Sequence, residues 1–115
     1  MKWSFTLRPF LLTLIGLLTA SSLMQAQTSC EYTLNLSDSF GDGWNGGFLE
    51  VTIGNTTTTY TLDNITDNGE FAAFPILVSE GDTIILAFTA GGFIGEVSYN
   101  LVDAEFNTIF EDGVL

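Results

Sequence analysis

From Tyr32 onward, apolar residues recur at every second position, and this alternation limits the fold more than any other feature of the chain. Tyr32, Leu34 and Leu36 alternate with Thr33, Asn35 and Ser37. Leu49, Val51 and Ile53 follow the same rule, as do Tyr60 and Leu62, then Phe74, Ile76 and Val78, then Ile84, Leu86 and Phe88, then Val97, Tyr99 and Leu101. Ile109 and Phe110 close the series. A period of two buries one face of an extended strand and wets the other, whereas a helical stripe repeats every 3.6 residues. The segments are rich in Thr, Val, Ile, Phe and Tyr, which suit a half-buried pleated surface. Between them lie turn formers: Gly54-Asn55, the polar stretch 63–69, Ser79-Glu80-Gly81-Asp82, the run 90–95 and the stretch 103–107. About seven short strands separated by turns predict one all-β domain, an antiparallel sandwich or jelly roll. The run 83–88 is apolar on both faces and reads as a central strand, while Pro75 places its strand at an edge or a bulge.

The first residues follow a different rule. Lys2 and Arg8 precede an unbroken stretch from Phe10 to Leu18 with no charge, and small residues follow up to Ala26. A basic start, a short apolar centre and small residues predict a secretory signal peptide over 1–26, cleaved after Ala26, with Ser22 as the second choice. The apolar stretch is shorter than the roughly 20 residues that a spanning helix needs. Residues 27–115 then form the sandwich module.

Removing 1–26 leaves an unusual charge balance. Both basic residues lie in the leader and all 14 Asp and Glu lie at position 31 or beyond, so the module carries a formal charge of −14. With no Lys or Arg, no carboxylate has a cationic side chain as partner. Nucleic acid is an unsuitable partner for the same reason, since affinity for phosphate rests on cations. The chain contains no His, so neither a Ser-His-Asp triad nor a Cys-His pair can form, and no cation could stabilise an oxyanion. The expectation is a non-catalytic chain; a small hydrolase built on paired carboxylates is the remaining enzymatic alternative. Cys30 is the sole cysteine, which forbids an internal disulfide.

One segment carries chemistry beyond strand and turn: Asp38-Ser39-Phe40-Gly41-Asp42-Gly43-Trp44-Asn45-Gly46-Gly47. Four glycines in positions 41–47 allow the backbone to fold back repeatedly beside two carboxylates. Calcium takes six to eight oxygens at roughly 2.3–2.6 Å from carboxylates, carbonyls and water, so this composition suits it. The pattern is not an EF-hand, because Phe40 and Leu49 stand where ligands would be needed. Two carboxylates are few for calcium, so a third is expected from elsewhere. Glu96, opening a strand after a glycine run, is the first candidate and Asp103 the second. The metal set is therefore Asp38, Asp42 and Glu96. Trp44, Asn45 and Phe93 lie in the loops and are candidate ligand contacts, suited to stacking on sugar rings and hydrogen bonding. A carbohydrate-binding module is thus one alternative, and a self-associating adhesive module another.

The stretch from Cys30 through Asn45-Gly46 resembles the D-S-[FY]-G-D-G-W-N-G signature of a β-sandwich domain found in secreted proteins of Bacteroidota, and Glu96-Val97-Ser98-Tyr99 resembles its later E-x-S-Y stretch. That domain is similar to CUB domains, whose acidic loop residues bind calcium and help grip a partner. The resemblance implies an accessory module, calcium as the bound ion, and an extracellular protein or polysaccharide as the partner, outside the cell or at its surface. Relatives often pair the first cysteine with one near the turn at 79–81, where this chain has none.

Overall fold

The computed structural model describes residues 1–7, 28–65 and 68–113. The expected apolar stretch of the leader and both cleavage positions, Ser22 and Ala26, lie outside the described residues. The strands are β1 (Lys2–Thr6), β2 (Ser29–Asp38), β3 (Phe48–Ile53), β4 (Thr56–Tyr60), β5 (Phe71–Ser79), β6 (Thr83–Thr89), β7 (Val97–Val102) and β8 (Thr108–Gly113). A single 3₁₀ turn, Ile94–Glu96, precedes β7. The fold is an all-β sandwich of two antiparallel sheets, ordered β1-β6-β3-β4 and β5-β2-β7-β8.

Alternation in sequence becomes alternation in space. On β2 the even positions Tyr32, Leu34, Leu36 and Asp38 point inward and are buried, and the odd ones are not. They meet Leu49 and Val51 of β3, Ile84 and Leu86 of β6, and Val97, Tyr99 and Leu101 of β7. Burying a side chain of this size contributes about 1.5–3 kcal/mol, which is why one-residue slips of register are excluded here. Pro75 lies on β5, at the edge of its sheet, where its missing N–H breaks no central ladder. Gly54, at φ 59°, and Asn55 reverse the chain between β3 and β4 with Ile53 facing Thr56.

The seven strands from Ser29 onward match the expected series. The eighth, β1, lies in the segment read as a leader: Lys2 pairs with Ala87 and Thr6 with Thr83. It makes β6 an inner strand, flanked by β1 and β3.

Following the chain direction sorts the connections between two poles. Asp38 ends β2 beside Val97, where β7 begins, and Ser37 lies opposite Phe71, where β5 begins. Phe48 at the start of β3 faces Thr89 at the end of β6. The connections 39–47, 61–70 and 90–96 therefore gather at one pole. The reversals at 54–55, 80–82 and 103–107 lie at the other.

Candidate metal centre

Asp38 is the anchor of the gathered pole. It is the last residue of β2, and its inward position puts the carboxylate inside the sandwich, 1% exposed. One carboxylate oxygen, Oδ1, accepts the backbone N–H of Phe40 at 2.9 Å and of Gly41 at 2.6 Å. These bonds wrap the loop around the side chain. The second oxygen, Oδ2, is buried and has no hydrogen-bond partner among the described residues. An unsatisfied buried acceptor costs about 1–3 kcal/mol, more when charged, so such an atom calls for a counterpart.

Two further carboxylates approach the Asp38 side chain. One oxygen from each of Asp38, Asp42 and Glu96 lies within 4.8 Å of the others. Oxygens bound to one calcium at roughly 2.3–2.6 Å cannot be more than about twice that distance apart, and this set meets the condition. Asp42 and Glu96 are half-buried, so the cluster opens toward water on one side. Asp42 Oδ1 accepts Asn45 Nδ2–H at 3.1 Å, and the same amide group donates to Gly43 O at 2.9 Å. Partial desolvation, and after it the charges of Asp38 and Asp42, hold the Glu96 carboxyl above its ordinary range. Three acids crowd one point without a cationic side chain among the described residues.

The backbone explains how Glu96 arrives there. The loop before it meets the acidic loop main chain to main chain: Gly92 N donates to Asn45 O at 3.0 Å, and Ser39 N donates to Glu96 O at 2.9 Å. At Gly91 a Cβ would fall on Gly47 N and Asn45 O, so only glycine permits the approach. The third connection joins through Trp44 N, which donates to Leu62 O at 2.9 Å, and Gly43 N, which donates to Gly69 O at 3.0 Å. All three loops of the pole are thus tied together around the acids.

The expected residues divide into those the fold assembles and those it does not. Asp38, Asp42 and Glu96 come together. Asp103, the second candidate for the third ligand, lies at the opposite pole, because β7 carries the chain away from the cluster. There it caps its own turn, accepting N–H groups from Glu105 at 3.0 Å and Asn107 at 2.8 Å. The bond from the Asn107 backbone is the main reason its carboxyl lies below the usual range.

Trp44 requires a correction. It is fully buried, its Nε1–H donates to Ser37 O at 2.9 Å, and its ring packs edge-on against Phe88 at 5.6 Å. No face remains for a sugar ring, and the residue closes the core under the loop. Asn45 and Phe93 are exposed, Phe93 to 69%. Phe93 also holds a left-handed backbone at φ 54°, an uncommon conformation for a bulky residue. Phe40, Ile65 and Ile94 are exposed on the same three loops, apolar tips that alternation could not identify because loops have no period. A polar cleft of about 350 Å³ adjoins Asp42, lined also by Asn45, Thr61, Asp63 and Asn64. In the sequence Asp63 and Asn64 read only as turn formers.

Comparison of the chain with protein-family models, curated proteins and solved structures found no match.

Proposed function

We propose that this chain is a secreted, non-catalytic binding and adhesion module whose loop pole is organised by calcium held on Asp38, Asp42 and Glu96. Two observations carry this reading: Asp38 Oδ2 is buried with no hydrogen-bond partner among the described residues, and two more carboxylates gather beside the same side chain. A divalent cation satisfies that atom and cancels the repulsion among the three acids at once. The other ligands that calcium needs come from backbone carbonyls and water, as in other oxygen sites. The resemblance of residues 38–46 to the signature of the secreted sandwich domain adds weight to the same ion. The lack of His throughout, and of Lys and Arg in residues 27–115, favours binding over catalysis.

The partner is an extracellular protein or polysaccharide engaged by the loop pole. Apolar tips at Phe40, Ile65 and Phe93 around a cation favour a protein surface, and burial of Trp44 leaves Phe93 as the one exposed aromatic ring of the set read as sugar contacts. Loops held by a rigid scaffold are where binding surfaces ordinarily form.

Thermal melts of the purified protein in calcium and in chelator test the reading. At one hundred times its dissociation constant an ion adds about 2.7 kcal/mol. For a domain of this size the midpoint then rises by roughly 10–20 °C. Equal midpoints in the two conditions would remove calcium from the account.

A further inference from the structure

We infer that β6 is a strand-accepting edge: once the leader leaves, the place of β1 is a docking groove for an extended, basic, alternately apolar segment of a partner. The inference rests on the export reading, not on the cation. In the structure β1 shows what the groove accepts. It runs antiparallel to β6 in continuous register from Lys2 opposite Ala87 to Thr6 opposite Thr83. The pairing extends beyond both ends, with Leu7 N donating to Asp82 O at 3.1 Å and Phe88 N to Met1 O at 3.2 Å. Phe5 and Leu7 pack against the core, and Trp3, still 44% exposed, rests on Phe110 with centroids 5.7 Å apart. Met1 lines a cavity of about 370 Å³ together with Phe88, Val97 and Tyr99.

Cleavage after Ala26 removes all of these contacts. The β6 backbone groups that paired with β1 then lack partners, and Ile84 and Leu86, both fully buried in the structure, lose part of their cover. The vacated edge has none of the usual protections. Thr-Ile-Ile-Leu-Ala-Phe-Thr contains no charge and no Pro, and its register with β3 is unbroken. Edges of this kind pair with whatever strand is supplied, main chain giving affinity and alternate side chains giving selectivity. The occupant is basic because the exported module carries −14 and has no Lys or Arg. The same charge disfavours a second copy, since pairing two β6 edges brings two −14 bodies into contact.

The chain's own first eight residues, as a synthetic peptide, are the probe. Protein recovered from the culture medium is first weighed intact to locate its N-terminus, then titrated by calorimetry, in calcium and in chelator. The expected results are a chain beginning after Ala26 or Ser22, and saturable binding of the peptide. A Phe5→Ser peptide, unchanged in charge, should bind at least tenfold more weakly. A secreted chain that retains residues 1–7 would overturn the inference. So would the absence of binding, equal binding of the Phe5→Ser peptide (charge attraction alone), or a stable dimer that the peptide cannot dissociate. If the peptide fails to bind while calcium still raises the melting point, the strand groove is lost and the cation centre stands; the converse result separates them the other way.

Discussion

Replacing Asp38 by Asn distinguishes a cation site from an ordinary acidic turn, because only in a cation site does the effect of the substitution depend on calcium. Asn keeps an oxygen for the N–H groups of Phe40 and Gly41 and puts an NH₂ where Oδ2 now stands without a partner. If the carboxylate served only to cap the turn, the substitution would weaken two charge-assisted bonds, and its effect on stability would be the same in calcium and in chelator. In the cation account, the wild type in chelator carries a buried unsatisfied acceptor that costs about 1–3 kcal/mol. Asn also removes one negative charge from a group of three acids that each bring an oxygen within 4.8 Å of the others. Asp38→Asn should therefore melt above the wild type in chelator, by about 4–8 °C for each kcal/mol recovered. In saturating calcium the order reverses or closes, because the wild type gains about 2.7 kcal/mol at one hundred times its dissociation constant and the variant gains nothing. Circular dichroism melts of both proteins in both conditions supply the four midpoints. A variant that melts below the wild type in chelator, or that gains as much from calcium, would refute the reasoning.

Two further outcomes follow from the same site. Glu96 has a folded-state value raised above its unfolded one, so without metal it costs stability above that raised value, and the cost disappears as pH falls toward the unfolded value. Melts in chelator should therefore show Glu96→Gln more stable than wild type at neutral pH, with the difference shrinking on acidification; a constant difference would contradict the assignment. Gly91→Ala puts a Cβ on Gly47 N and Asn45 O and should cost about 1–3 kcal/mol while weakening calcium binding by calorimetry. Gly95→Ala, with nothing within 4 Å of its added Cβ, should change neither.

The sandwich was legible because period two is a local property that burial turns directly into strand faces. Leu34 and Leu36 on β2, Val51 on β3 and Leu86 on β6 are buried where alternation puts them. Pro75 at an edge and Gly54 at a hairpin are equally local. The third ligand was harder, since choosing Glu96 over Asp103 depends on which way β7 runs relative to Asp38, a property of topology. Trp44 was misread because a tryptophan within a glycine loop has no alternating neighbours to show that it turns inward. The strand at Lys2–Thr6 carries the alternation Trp3, Phe5, Leu7, but the uncharged run beyond it dominates the sequence signal.

The contact between the loops at Gly91 and Asn45 is made by main chain, with side chains left pointing outward. Its geometry is therefore indifferent to what Phe40, Ile65 and Phe93 happen to be. If that end binds a partner as proposed, substitutions at those tips would alter what it accepts while the scaffold beneath them stays as it is. A change at Gly91 or Asp38 instead disturbs every loop of that end together, so novelty can accumulate only at the rim.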